Sequence, residues 1–331
     1  MVKIAILPGD GIGPEVIDGA LTVLRTVAPD LEFLQGEIGL GSHSRTGEYL
    51  PRDTLDIIDE SNAVLFGAIT TPLDDPNYRS PILQLRKQLD LYANVRPVRK
   101  VHPSLGLVDL NAIIVRENTE GMYTQIERQD PEGVTLERRV SIRGSRRIVR
   151  FGRELAERMN RKRITCVHKA NVLRRSDGLF REIFFEEMVG STLEIRELLV
   201  DAAAAAMINR FEEIDVIVTL NLYGDILSDE GSALTGGLGL SPSANMNQEF
   251  GLFEPVHGSA PDIAGQGIAN PSAAILSAAM MLDFLKKNEE GDLIRQAVHD
   301  AIENGARTRD MGGQHSTVQF ASAVAALCRN H

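Results

Sequence analysis

Pro8-Gly9-Asp10-Gly11-Ile12-Gly13-Pro14-Glu15 is the stretch on which the architecture turns. It follows a short apolar run, Val2–Leu7, and precedes a helical pattern with Val16, Ile17, Ala20, Leu21, Val23 and Leu24 on one face. Strand, glycine turn and helix in that order outline a Rossmann loop. The Rossmann fingerprint requires a third glycine where this chain has Pro14. Asp10 would also set a negative charge beside a bound pyrophosphate. The stretch reads instead as a tight turn whose glycines supply unusual dihedrals and let the backbone approach a ligand elsewhere.

Outward from that turn the chain alternates. Strands are predicted at Ala63–Phe66, Ala112–Val115, Ile164–Val167 and Val216–Leu220, with helices such as Arg146–Met159 and Gly178–Met188 between them. Such alternation means α/β layers on a parallel or mixed sheet. Met122–Arg128 and Thr135–Ile142 differ: they are extended runs joined by Asp130-Pro131-Glu132-Gly133, a hairpin with a turn-forming centre. A lone hairpin is marginal in water, so a partner subunit is the expected neighbour.

At 331 residues the chain suits two domains. It has no Trp and only 5% aromatics, so the core must be aliphatic. The net charge of −11 argues against anionic membranes and nucleic acid. Residues 138–163 run the other way, with eleven Arg or Lys against Glu154 and Glu157. With aromatics absent from most of the stretch and no nucleic-acid motif beside it, this reads as a solvated helix face with charge pairing across a subunit contact. Cys166 and Cys328 match no metal or disulfide spacing and read as buried apolar residues in a reducing compartment. The N-terminal apolar run is too short for a signal peptide. The longest uncharged run, Ile263–Leu282, contains Gly265, Gly267, Asn270 and Pro271, a loop feeding a helix and not a membrane span. The expected location is the cytoplasm.

Chemistry is concentrated at predicted strand ends. Asp225 and Asp229 are four apart after the strand ending in Thr219-Leu220. On a helix they share one face and repel unless a cation lies between them. Oxygen ligands of this kind suit Mg²⁺ or Mn²⁺; a helix-terminal acid beside a solvated one is the bland alternative. Asp201, before the run Ala202–Ala206, is a third carboxylate that spacing alone would make an N-cap. Arg86, Arg96 and Arg116 stand in separate contexts, and a substrate with several carboxylates would need such forks; singly, each would be an ordinary surface or salt-bridge residue. Lys169, in His168-Lys169-Ala170-Asn171, could act as a base if its pKa is depressed. Tyr123 could act as an acid.

Together these segments resemble the isocitrate, isopropylmalate and homoisocitrate dehydrogenases over nearly the whole chain, most specifically through Asn221–Asp229 (NLYGDILSD) and Phe253–Gly265 (FEPVHGSAPDIAG). The resemblance implies a non-Rossmann fold of two α/β domains. Residues 1–90 and 237–331 would form the cofactor-binding domain, and 91–236 the substrate and dimerisation domain, with arm 122–142 interlocking with a second subunit. It implies Arg86, Arg96 and Arg116 as substrate clamps, with Ser80 and Asn171 as further substrate contacts. Asp225, Asp229 and a neighbouring subunit's Asp201 would hold the metal. Lys169, also from the neighbour, would be the base and Tyr123 the acid. A shared site implies a homodimer, with pairing into tetramers left open.

The resemblance also implies the cofactor. NAD-using relatives carry an Asp in the loop matching His257-Gly258-Ser259-Ala260-Pro261-Asp262-Ile263, while NADP-using relatives carry Lys and Tyr at its last two places. Asp262 would repel a 2′-phosphate, which favours NAD. Asn270 is expected at the adenine, with His257 near it. The segment Asn77–Arg86 bears on the substrate. Arg79 and Ser80 suit an anionic tail, and the pattern looks most like homoisocitrate enzymes. Ile82 and Leu83 would suit an isopropyl group, which makes 3-isopropylmalate the alternative, then isocitrate. His315 stands where relatives usually carry Asn, Asp or another polar residue. The rivals are a metal-free Rossmann 2-hydroxyacid dehydrogenase, which would ignore EDTA and release no CO₂, and a nucleic-acid binder using residues 138–163.

Overall fold

Ile4, Ala5, Ile6 and Leu7 are consecutive and all fully buried, a pattern tolerated only by a strand covered on both faces. The computed structural model describes residues 1–72, 74–75 and 78–329. Asn77, the first residue of the substrate segment singled out above, lies outside them. The chain forms two compact units, one of Met1–Leu89, Val101–Leu105 and Gly236–His331, the other of Asp90–Lys100 and Gly106–Thr235.

The first unit begins with β1 (Val2–Gly9), α1 (Gly13–Val27), β2 (Leu31–Gln35), α2 (Leu40–Thr46), α3 (Arg52–Asp59), β3 (Ala63–Ala68) and α4 (Pro81–Gln88). The second supplies β4 (Ala93–Arg99), β5 (Asn111–Glu117), β6 (Glu127–Asp130), β7 (Gly133–Leu136), α5 (Ile142–Arg158), β8 (Arg163–His168) and α6 (Ser176–Glu187). It continues through β9 (Glu194–Leu199), α7 (Val200–Asn209), β10 (Val216–Thr219) and α8 (Asn221–Thr235). The chain returns to the first unit for β11 (Pro242–Met246), β12 (Gly251–Pro255), α9 (Ser272–Phe284), α10 (Asn288–Glu303) and α11 (Thr317–Cys328).

In the first unit the strand order is β2-β1-β3-β12-β11, parallel except for the antiparallel pair β11–β12. Its core joins α1, α9, α10 and α11 to the strands through side chains such as Ile17, Leu24, Phe253, Ile275, Val298 and Phe320. Residues 272–279 of α9 are buried without a break, so this uncharged part of the helix is enclosed by protein on every side. Among the described residues no helix is long and apolar enough to cross a membrane. In the second unit the order is β4-β5-β10-β8-β9, with β4 antiparallel to β5 and the others parallel. The α/β alternation expected from sequence is present. The antiparallel strands and the strand order set both units apart from a Rossmann sheet.

Three local expectations are corrected. The glycine turn is spent on the chain itself: Ile12 N donates to Ser259 O at 2.8 Å and Asp10 N to Ala68 O at 2.8 Å. Gly11, at φ +60°, lies where any Cβ would collide with the Ser259 backbone. In the hairpin β6 and β7 pair in the register Asp130↔Gly133, and beyond them Glu137 N donates to Ile126 O at 2.9 Å. Met122–Thr124 is a 3-10 turn, and Ile142 opens α5 behind the N-cap Ser141, whose side chain accepts from Gly144 N. Asp201 is not an N-cap; Leu199 holds that place and Asp201 lies in the first turn of α7.

The basic stretch also finds its partners within the chain. Arg146 and Arg150 pair with Glu187, Arg147 with Asp90, Arg153 with Glu157, Arg161 with Asp215 and Arg163 with Glu194. These arginines therefore have acid partners within their own chain. Cys166 and Cys328 are both buried and unpaired.

Candidate active site

β4 and β5 pair with Asn94 opposite Arg116 and Arg96 opposite Ile114. Directly opposed residues share a face, so Arg96 and Arg116 are diagonal neighbours on one side of the sheet. Helix α8 packs against that side. Its Gly224 is required there, because a Cβ would come within 2.7 Å of Arg116 Cβ and Cγ. The stem of Arg116 therefore lies across the helix. Its guanidinium grips Asn221 Oδ1 through Nε at 3.0 Å and Nη2 at 2.7 Å, and meets Asp225 Oδ1 through Nη1 at 2.5 Å.

Asp225 and Asp229 lie one turn apart on α8, as their spacing requires. A cation does lie between them: Arg96 Nη1 is 3.1 Å from Asp225 Oδ1 and 3.3 Å from Asp229 Oδ1, and donates to Ser228 Oγ at 2.6 Å. The neutralisation is partial. Burial first, and then the Asp225 charge, push the Asp229 carboxyl above its ordinary value against the opposing pull of Arg96 and Arg116. The Tyr123 hydroxyl donates to Asp225 Oδ2, and Arg116 Cζ lies 5.2 Å from the Tyr123 ring centroid, within cation–π range. The second unit thus gathers Arg96, Arg116, Tyr123, Asp225 and Asp229 around a set of carboxylate oxygens.

Lys169 follows the end of β8 and Asp201 follows the end of β9. Those strands are parallel neighbours, and Lys169 Nζ meets Asp201 Oδ1 at 2.5 Å. The lysine holds the Asp201 carboxyl below its usual value. Among the described residues no three His, Cys, Asp or Glu side chains of one chain gather as a metal site. Asn171 is exposed in the turn after Lys169.

In the first unit Arg86 is buried, and its Nη2 pairs with Glu254 Oε1 at 3.0 Å. Glu254 also accepts from Asn245 Nδ2 at 2.6 Å, while Arg86 Nε is buried without a partner. Ser80 precedes α4 at the N-cap position, yet its side chain makes no capping bond. Its hydroxyl is therefore not spent on the helix.

The loop from His257 to Asp262 is braced from below. Ser259 O accepts from Ile12 N, and Ser259 Oγ accepts from Thr70 Oγ1 at 2.6 Å. His257 Nδ1 lies 2.9 Å from Gly258 O, which makes Nδ1 the donor and Nε2 an acceptor. That Nε2 is buried with no partner, and burial lowers the ring's pKa. Ala260 has φ +39°, a strained value for a residue with a Cβ. Gly258, Pro261 and Asp262 are exposed. Asn270 is occupied at both ends: its Nδ2 donates to Asp310 Oδ2 at 2.9 Å and its Oδ1 accepts from Ser272 N at 2.9 Å.

Sequence reasoning missed Glu254, Asn221 and Ser228, which hold the three arginines. Asn221 and Ser228 stood inside the α8 motif as uncharged polar side chains able to accept from a guanidinium. Glu254 gave no local sign, since Arg86 is 168 positions away.

The sequence profile of the isocitrate/isopropylmalate dehydrogenase family matches residues 3–324. The chain is 47% identical to homoisocitrate dehydrogenase of Methanocaldococcus jannaschii, an alignment covering 96% of this chain and 95% of that protein. It is 44% identical to 3-isopropylmalate dehydrogenase of Methanothermobacter thermautotrophicus, covering 98% of each. The crystal structure of isocitrate dehydrogenase from Methylococcus capsulatus superposes with a TM-score of 0.95 at 40% identity, over 99% of this chain and 100% of that one. The chain therefore belongs to the isocitrate/isopropylmalate dehydrogenase family and is a β-decarboxylating oxidoreductase.

Proposed function

We propose that the protein oxidises and decarboxylates homoisocitrate, using NAD and a Mg²⁺ or Mn²⁺ ion. The observation that carries the proposal is the guanidinium of Arg96 between the carboxylates of Asp225 and Asp229, beside Arg116 and the Tyr123 hydroxyl. Two acids held on one helix face by a substrate-clamping type of residue form a site poised for a cation and a polycarboxylate together. The oxygen-only donors Asp225 and Asp229, with Asp201 of the partner subunit, fit a hard divalent ion. When bound, that ion withdraws charge from the 2-hydroxyl oxygen and from the enolate oxygen formed later.

The chain's own residues do the rest. Arg86, Arg96 and Arg116 pin the substrate carboxylates through paired N–H donors, and the unpartnered Nε of Arg86 supports that role. Lys169 of the partner subunit would take the proton from the 2-hydroxyl, and NAD, when bound, would supply the acceptor for the hydride of C2. The β-carboxylate departs as CO₂, and Tyr123 delivers a proton to the enol carbon. The loop His257-Gly258-Ser259-Ala260-Pro261-Asp262 cradles the adenosine end of NAD. The exposed Asp262 carboxylate accepts from ribose hydroxyls, and the buried acceptor Nε2 of His257 fits a donor on the adenine edge. Asn270 lies at the adenine side through its neighbouring loop.

Homoisocitrate is favoured by Arg79 and the uncommitted Ser80 hydroxyl, which suit an anionic tail, with Asn171 as a further polar contact. The partly exposed apolar pair Ile82 and Leu83 favours 3-isopropylmalate as the second reading. The hairpin β6–β7, with Val134 62% exposed, has an apolar side chain that a second subunit would cover, which supports a homodimer with shared sites. The two buried, unpaired cysteines suit the reducing cytoplasm. NADH formation with homoisocitrate, 3-isopropylmalate and isocitrate in parallel tests the substrate; the highest kcat/KM is expected for homoisocitrate, and a higher value for either other acid overturns it. Asp225→Asn should abolish turnover with the fold intact, and a wild-type rate would remove the metal assignment.

A further inference from the structure

We propose that Asp177 is a positioning residue that fixes the Lys169 backbone, the base of the arm and helix α8 in a single register. This rests on the reading of Lys169 as the base. Asp177 is fully buried near the start of α6. Its Oδ2 accepts from Lys169 N at 2.7 Å and from the Tyr223 hydroxyl at 3.1 Å. Its Oδ1 accepts from Arg138 Nη1 at 2.5 Å. Arg138 Cζ in turn lies 5.3 Å from the Tyr223 ring centroid, so these two partners also contact each other.

Each partner belongs to a different working element. Lys169 opens the loop that carries the base. Tyr223 lies two residues before Asp225 on α8. Arg138 follows β7, where the arm rejoins the body beside the Gly121↔Arg139 bridge. If Lys169 serves the partner's site while Asp225 serves its own, one carboxylate holds an element of each of the dimer's two sites and the arm that joins the subunits. A full charge is needed for this. Three donors from other elements converge on the two oxygens, with the Ser176 hydroxyl a fourth at 3.4 Å from Oδ1, and a carboxylate is acceptor-only. An amide in its place would turn an N–H₂ toward at least one donor, displacing Lys169 or Arg138. Nothing in the proposed chemistry requires Asp177 to touch substrate; of its partners only Lys169 is read as the base, and the proposal is that the effect of Asp177 on kcat passes through the Lys169 backbone.

The test is a double-mutant cycle in the full-length enzyme. Asp177→Asn is expected to lower kcat about 10²-fold, as a displacement of the base by an ångström would, with KM for the malate-type substrate changed less than about threefold. In a Lys169→Ala background the same substitution should cost less than about threefold, because there is no base left to misplace. If Asp177→Asn does not fold, the paired variant Asp177→Asn/Arg138→Met, which leaves no unpaired buried charge, carries the same expectations. Equal losses in both backgrounds would mark a merely structural residue and overturn the proposal, as would wild-type kcat in Asp177→Asn. A Lys169→Ala enzyme with the wild-type rate would instead overturn the base assignment on its own.

Discussion

Lys169 Nζ lies 2.5 Å from Asp201 Oδ1, although the two residues are thirty-two positions apart and belong to different strand ends. The contact follows from the parallel register of β8 and β9, which sets His168 opposite Leu199 and brings the next residues of each strand together. If Lys169 is the proposed base and Asp201 a proposed metal ligand, a pair that travels together should serve the same site. If that site belongs to the partner subunit, complementation will reveal it. Lys169→Ala and Asp225→Asn homodimers should each be inactive. Mixing them through a dissociation and reassociation step should restore about a quarter of the wild-type rate, since half the dimers are hybrids with one intact site. No recovery in dimers proven to have exchanged would mean that each site is built from one chain.

Gly224 tests the α8–β5 contact from the other side. Alanine in a helix interior is ordinarily worth about 1 kcal/mol over glycine. Here its Cβ would meet Arg116 Cβ and Cγ at 2.7 Å and lift the arginine off Asn221. Gly224→Ala should therefore raise KM for the polycarboxylate about tenfold or more, with little gain in the urea midpoint. An unchanged KM together with a higher midpoint would show that Arg116 can shift without loss.

These two contacts show what the sequence could convey. Asp225 and Asp229 were legible because helical spacing is local, and the α/β alternation because strands and helices have different periods. The glycine turn was legible as a turn, but its partner was not: Ser259 lies far along the chain, and only the folded structure shows that the close approach is to the chain's own loop. The basic run 138–163 could not be assigned its acids for the same reason. Its arginines meet Asp90, Glu187, Glu194 and Asp215 on other elements. Asp177 gave no local sign of its role, since Lys169, Arg138 and Tyr223 donate to it from other segments, up to 46 residues away. Periodicity carries the elements, and tertiary contact carries the partners.

The cofactor loop gives a charge-reversal prediction. Asp262 is exposed beyond the strained Ala260, while Ser259 is fixed from below by Ile12 and Thr70. The loop should therefore keep its path when its tip is changed. Asp262→Lys/Ile263→Tyr should lower kcat/KM for NAD and raise it for NADP, moving their ratio by about two orders of magnitude, since like-charge juxtaposition costs several kcal/mol. Steady-state kinetics with both cofactors measures this. An unchanged ratio would detach Asp262 from cofactor choice.

The contact between α5 and α6 should govern part of the acid sensitivity. Glu187 Oε2 accepts from Arg150 Nε at 2.7 Å and Glu187 Oε1 lies 2.7 Å from Arg146 Nε. The hydrogen bond from Arg150, and then the charges of both arginines, hold the Glu187 carboxyl below its usual value although burial pushes the other way. A carboxyl depressed in the folded state stabilises the fold above its unfolded value, and that contribution fades as pH falls through the folded value. Both arginines are substantially exposed, so water and salt screen the pair and the contribution is at most about 1 kcal/mol. Glu187→Gln should thus lower the urea midpoint at neutral pH and converge with the wild type once the pH has fallen below the lowered folded value, where the carboxyl is protonated in both states. Added salt should shrink the neutral-pH difference. Wild-type and variant stability curves that run parallel down to that pH would show that the two arginines exert no net hold on Glu187.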